Sequence, residues 1–262
     1  MQTSPDSMVL LNRQDGVATL SLNRPAALNA LNVPLAEALL AACREIAEDG
    51  TTRAVILRGE GRSFGVGGDL AALRDGGPDT PIELIGAMHE SIKILSGLDA
   101  PVIASLHGAV AGGSLSLSLA CDLAIAAEGT KFNLAYANVA ASCDVSGSWN
   151  LPRVVGLRRA LEIALLCETF DAAEALRLGI VNRVVPADRL GKETLDLARR
   201  LAAGPTRAYG RIKKLMRQSS ETAFPNQLDA ERDAFDASAR TDDFKEALAA
   251  FFNKRAPTFQ GR

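Results

Sequence analysis

The sequence predicts a layered α/β body followed by a helical C-terminal part. Three observations carry this. Short apolar, strand-like runs alternate with helix-period segments up to about residue 186, and only helical periodicity follows. Of the 262 residues, 47% are hydrophobic and 23% charged, the balance of an ordinary globular chain with enough apolar side chains for a sizeable core. Gly204-Pro205 interrupts the helical stretch, dividing an expected core over 1–203 from a helical region over 204–262. Pattern alone leaves two architectures open, a doubly wound sheet and a spiral of ββα units.

The elements follow in order. Residues 8–13 and 17–22 read as strands flanking Asp15-Gly16, a hairpin turn signal. Residues 33–48 carry Leu35, Leu39, Leu40, Cys43 and Ile46 at helical spacing, and Asp49-Gly50 ends that helix. Residues 54–57 read as a short buried strand leading into the glycine-rich 59–68. The polar, Gly/Pro-rich 70–80 reads as a mobile loop, and a helix is expected over about 82–96. A strand at 101–105 precedes a turn that enters a helix near Gly112. A strand at 121–126 and an irregular segment at 130–144 follow, then a helix after Gly156. Asp171 suits the N-cap and Gly179 the C-cap of a helix at 172–178. A last strand at 180–185 stops at Pro186. Helices are expected at 188–203, 206–218, about 221–238 and 242–253.

Several classes of function fall away. Lys+Arg number 29 and Asp+Glu 31, a net charge of −2, which gives no basic field for nucleic acid. The opening MQTSPDS shows no secretory leader, and no run approaches the ~20 apolar residues of a membrane span. The cysteines (Cys43, Cys121, Cys143, Cys167) form no CxxC, and His89 and His107 are the only histidines, so no metal cluster is expected. The thiols read as reduced and the protein as cytoplasmic.

Two glycine segments draw the functional reading. Phe64-Gly65-Val66-Gly67-Gly68-Asp69-Leu70 follows a buried strand, and Ala111-Gly112-Gly113-Ser114 stands where strand gives way to helix. A lone glycine loop is more often just a tight turn. Two of them, each after a strand, could aim one backbone N–H apiece at a developing oxyanion. Neither matches a Walker loop or a GxGxxG dinucleotide fingerprint.

These segments, taken with Asn23-Arg24-Pro25, Leu28-Asn29-Ala30, Pro101-Val102-Ile103-Ala104, Cys121-Asp122-Leu123, Leu151-Pro152-Arg153, 175–185 and 251–259, resemble the crotonase superfamily, the enoyl-CoA hydratase/isomerase family. The resemblance spans about residues 9–259. It implies a spiral of ββα units with a C-terminal helical region that assembles homotrimers, or hexamers as dimers of trimers. It also implies an acyl-CoA substrate, no permanently bound cofactor, and an oxyanion hole from the N–H groups of Gly68 and Gly113. Arg24, Ala27, Leu28, Phe251 and Lys254 match positions that hold coenzyme A in relatives; ordinary surface roles are the alternative.

The hydratases of this family use two glutamates. Their positions fall here on Ser116 and Tyr136, neither of which is a carboxylate base. Asp144, in Cys143-Asp144-Val145-Ser146, occupies a position where several non-hydratase members carry an aspartate. The local pattern looks most like phenylacetate-pathway-type enoyl-CoA isomerases. The family's usual PDGG has become CDVS. The resemblance thus implies a double-bond isomerase with Asp144 as acid/base; an aspartate before a helix is also an ordinary N-cap. The alternatives are hydratase-like, hydrolase or dehalogenase chemistry, and a non-catalytic acyl-CoA binder. His89, Tyr136 and Asp144 together fill the slots of the 4-chlorobenzoyl-CoA dehalogenases compatibly, although an aromatic of another type stands there. His107 and Cys143 read as packing residues, and Asp69 as a hydrogen-bond acceptor that fixes its loop.

Overall fold

The computed structural model describes residues 7–262. The expectation drawn from the first six residues, that the chain opens without a leader, lies outside them. Strands β1 (Val9–Gln14) and β2 (Val17–Leu22) form the hairpin, with Gln14 paired to Val17 across Asp15 and Gly16. Both turn residues have positive φ, 53° and 75°, the backbone that matches strand twist in a two-residue turn. Helix α1 (Val33–Asp49) is capped by the Asn32 side chain and ends on Gly50 at φ 63°.

Beyond α1 the chain repeats one motif. Strands β3 (Ala54–Gly59), β4 (Val102–Leu106), β6 (Leu123–Ala127) and β9 (Arg183–Val185) join β2 in parallel, completing a six-stranded sheet ordered β1-β2-β3-β4-β6-β9. After each of β2, β3, β4 and β6 the chain lays a short extended segment in a second layer. Leu31 bridges Gly68, and Gly65 bridges Val110 in β5 (Ala109–Ala111), which pairs with β7 (Lys131–Asn133). The antiparallel β8 (Phe170–Asp171) closes that layer. Helices then return to the first sheet: α2 (Leu70–Asp75) and α3 (Thr80–Gly97), α4 (Gly112–Ala120), α5 (Gly147–Val155) and α6 (Leu157–Leu166), and finally α7 (Ala172–Arg177). This is the ββα spiral, which the sequence pattern alone left undecided against a doubly wound sheet.

The sheet is apolar on both faces, as a parallel sheet covered on each side must be. Val55, Leu57, Val102, Ala104, Ala124 and Ala126 point to one core with α1, α3 and α4. The alternating Ala54, Ile56, Ile103, Ile125 and Ala127 pack on α8 (Leu190–Ala202) through Leu190, Leu197 and Ala198. Three further helices follow: α9 (Thr206–Gln218), α10 (Phe224–Ala239) and α11 (Asp242–Phe252). The Asp122 carboxylate holds α9 to the spiral. It takes Lys213 at 2.7 Å, Arg217 at 2.8 Å and the Val102 N–H at 2.8 Å, while Lys213 also donates to the carbonyls of Leu98 and Ala100. Burial pulls the Lys213 pKa down, opposed by Asp122.

Some expectations are corrected. Residues 70–75 are helical, not loop, because Asp69 caps them by accepting the Ala72 N–H at 3.1 Å; only the Gly/Pro stretch after Asp75 is irregular. Helix α5 was hidden by Pro152 within it. Part of the segment at 130–144 forms β7, and α10 starts at Phe224, where Pro225 suits the first turn.

Candidate active site

The two glycine segments meet where the second layer of the spiral gives way to helices. A Cβ added to Gly67, at φ 89°, would stand 3.3 Å from the Gly112 Cα and 3.4 Å from the Gly113 nitrogen, so the two backbones run side by side. The Gly67 N–H donates to Ser114 Oγ at 3.1 Å, locking one segment to the other. At the Leu31–Gly68 bridge the Leu31 N–H bonds the Gly67 carbonyl at 2.7 Å, and the Asp69 N–H bonds the Leu31 carbonyl at 2.8 Å. Neither bond uses the Gly68 N–H. Gly113 is the second residue of α4, within the first turn where helical N–H groups lack an intrahelical acceptor.

Both glycines line one cavity of about 470 Å³. Its walls are mostly apolar: Leu73, Pro81, Leu84, Ile85 and Met88 on one side, Tyr136, Val139 and Val145 on the other. Among the described residues Asp144 is the only carboxylate lining it, and no histidine does. A methyl group on Gly113 would lie 3.7 Å from Asp144 Oδ1, so the carboxyl faces the backbone that carries one of the free N–H groups. Among the described residues no group of three or more His, Cys, Asp and Glu could hold a metal ion, and no helix is long and apolar enough to cross a membrane.

Three side chains form a short chain of hydrogen bonds. The Tyr136 hydroxyl donates to Asp144 Oδ1, and Ser116 Oγ lies 3.0 Å from the same hydroxyl. The phenol has one proton and gives it to the carboxylate, so Ser116 is the donor in its own bond to Tyr136. Burial first, then the charge of Asp144, pushes the Tyr136 pKa up, which keeps it a neutral donor. Asp144 Oδ2 has no hydrogen-bond partner among the described residues. Asp144 does not cap α5, because Ser146 is the residue before that helix and the Asp144 side chain bonds to Tyr136 instead. Ser116 is fully buried, and a Cβ at Gly147 would collide with its hydroxyl.

The turn that presents Asp144 is unusual. Val145 and Ser146 both have left-handed backbone, at φ 49° and 68°. Left-handed backbone costs a side-chain-bearing residue roughly 1–2 kcal/mol, more where the side chain is β-branched. The Val145 N–H donates to His89 Nε2 at 3.3 Å. His89 therefore reaches the turn but does not line the cavity. This contact joins residues 56 apart in sequence, and no local signal announced it.

The other candidates lie elsewhere. Arg24 pairs with Asp69 at 3.0 Å and donates to the Ala30 carbonyl at 2.5 Å, which ties the 24–30 segment to the loop that carries Gly68. Asp69 is held below the usual carboxylate range by the Ala72 N–H and then by Arg24, opposed by burial. Ala27 and Leu28 sit half-buried on the same segment, while Phe251 and Lys254 are exposed at the end of α11. None of these five lines the cavity. His107 Nε2 lies 3.0 Å from the Gly61 carbonyl, a packing role. The Cys143 thiol is pushed up by burial and by Asp144, which disfavours a thiolate nucleophile.

The family model for enoyl-CoA hydratase/isomerase matches residues 12–262. The chain belongs to the enoyl-CoA hydratase/isomerase family. This member is 34% identical over 258 residues to the trans-2-decenoyl-(acyl-carrier-protein) isomerase of Streptococcus mutans, covering 97% of this chain and 98% of that protein. It is 35% identical over 259 residues to the 1,2-epoxyphenylacetyl-CoA isomerase of Escherichia coli, covering 97% and 98%. Relatives at about the same identity are named for hydratase and for 4-chlorobenzoyl-CoA dehalogenase. The crystal structure of an enoyl-CoA hydratase from Bacillus anthracis matches with a TM-score of 0.92 at 30% identity, over 97% of this chain and 100% of that one. The chain has the crotonase fold and is an acyl-CoA enzyme of that family.

Proposed function

We propose that the protein moves a carbon–carbon double bond within an enoyl-CoA thioester, with Asp144 as the single acid/base. One observation carries this reading: the cavity that holds the Gly68 and Gly113 N–H groups contains one carboxylate, and that carboxylate faces Gly113. From a 3-enoyl thioester, Asp144 Oδ2 takes a proton from the carbon between the thioester carbonyl and the alkene. The electron pair passes into the carbonyl, whose oxygen becomes negative between the two N–H donors. The same proton then returns to the far alkene carbon, and a 2-enoyl thioester leaves with no atom gained or lost. One base suffices for this shuttle, and two aimed donors stabilise the oxyanion; losing one costs roughly 3–4 kcal/mol in comparable sites.

Two-glutamate hydration fits poorly. Ser116 and Tyr136 occupy both glutamate positions and are bonded to each other. Ser116 is fully buried against Gly147, where any side chain on the glycine would strike the Ser116 hydroxyl. We assign the coenzyme A moiety to the surface of Arg24, Ala27 and Leu28, supported by the Arg24–Asp69 pair next to Gly68, with Phe251 and Lys254 contributing from α11. Incubation with 2-enoyl-, 3-enoyl- and aryl-CoA thioesters, followed by mass and by the position of the alkene, tests the reading. Isomers of unchanged mass are expected. Crotonyl-CoA hydrated at an ordinary enzyme's rate, ~10 s⁻¹ or more, would overturn it.

A further inference from the structure

The turn that carries Asp144 holds a conformation its own residues resist. Val145 is both β-branched and left-handed, at φ 49°, and buried. Glycine takes this backbone freely; the chain has Val145 and Ser146 there. The turn is closed from within by the Gly147 N–H donating to the Asp144 carbonyl at 2.9 Å. Tyr136 holds the Asp144 side chain. Two side chains hold the 144–145 peptide: the Tyr136 hydroxyl reaches the Asp144 carbonyl at 3.4 Å, and from α3 His89 Nε2 accepts the Val145 N–H at 3.3 Å. An accepting Nε2 carries no proton, so the neutral ring bears its proton on Nδ1. With Nε2 committed to the backbone and the ring outside the cavity lining, His89 is badly placed to exchange protons with a substrate.

We propose that His89 is a positioning residue: by accepting the Val145 N–H it holds the left-handed turn that points the Asp144 carboxyl at the oxyanion glycines. Its catalytic consequence rests on the reading of Asp144 as the base; its structural consequence does not. The histidine supplies support that glycine at this turn would make unnecessary. A turn that its sequence disfavours is kept in place by a neighbouring helix.

Two readouts on His89→Ala, His89→Gln, Val145→Gly and the double variant His89→Ala/Val145→Gly test this. The first is hydrogen–deuterium exchange of peptides spanning 143–147. It is expected to speed up in His89→Ala and to recover in His89→Gln, whose carbonyl can accept the same N–H. The second is isomerisation of a 3-enoyl-CoA. In His89→Ala kcat should fall roughly ten- to a hundredfold, the scale of a misplaced reacting group, with KM moving less than threefold. In the Val145→Gly background the turn needs no outside support, and removing His89 should cost only a small part of that factor. Wild-type exchange at 143–147 in His89→Ala, or equal losses from His89→Ala in both backgrounds, would overturn the proposal. If no thioester is isomerised at all, the function is wrong and the exchange measurement alone decides the role of His89.

Discussion

Tyr136 donates its hydroxyl proton to Asp144 while accepting from Ser116, so a chain of two hydroxyls ends on the carboxylate. Tyr136→Phe removes that donor and strands a buried Ser116 hydroxyl. Thermal unfolding should show about 1–3 kcal/mol of lost stability, the usual cost of a buried polar group left unpaired. kcat for isomerisation should fall on the order of tenfold while KM stays near its original value, because the carboxylate loses its fixed orientation. A variant with unchanged kcat would show that Asp144 is oriented by its backbone alone.

Asp144→Asn keeps the shape and an oxygen able to accept from Tyr136. Stability is therefore expected to hold within about 0.5 kcal/mol. Isomerase activity should drop about 10²–10⁴-fold, the contribution of general acid–base catalysis. Thioester binding should persist, since the oxyanion donors are backbone groups. Full activity in this variant would leave the cavity without a base.

Asp122→Ala is expected to be among the most damaging substitutions outside the cavity. Asp122 and Lys213 have side chains only 13% and 10% exposed. Removing the carboxylate leaves Lys213 and Arg217 without their counter-charge, and breaking such a buried pair costs about 3–5 kcal/mol. Chemical denaturation should show that loss. A drop below 1 kcal/mol would mean that α9 is held by its other contacts.

Assembly is the fourth expectation. The C-terminal helices expose Phe224, Leu228, Phe235, Leu248, Phe251 and Phe252, and α6 exposes Leu157, Leu161, Leu165 and Leu166. Phe244, by contrast, meets Phe235 edge-on within the chain, with ring centroids 6.0 Å apart. So much apolar surface on one molecule marks interfaces. Light scattering at micromolar concentration should give a trimer or hexamer; a stable monomer would contradict this.

How legible was the molecule in its sequence? Where local chemistry decides, the reading held. Asp15-Gly16 set the hairpin register, and Gly50 and Asp171 marked helix ends as caps do. Helix α2 was missed because Gly76, Gly77 and Pro78 dominated the window, although Asp69 supplies a good cap. In the site, Gly68, Gly113 and Asp144 could be placed by motif. The Tyr136–Asp144 bond could not, because it forms within a stretch without periodicity. Nor could the His89–Val145 bond, because only the folded spiral brings α3 against that turn. Sequence carries what neighbours in the chain do to each other; these two contacts belong to the tertiary path.

The contact between Gly147 and Ser116 bears on how this family changes its chemistry. Position 136 borders the cavity, but its hydroxyl bridges Ser116 and Asp144, so exchanging it disturbs both. Position 116 is buried against Gly147 at the start of α5, and a Cβ on that glycine would collide with the Ser116 hydroxyl. A lineage that altered position 116 would therefore do so with position 147 held as glycine. The three positions are tied together: a change at 116 is felt at 147 through packing and at 136 through the hydroxyl it bonds, so none of the three varies independently of the others.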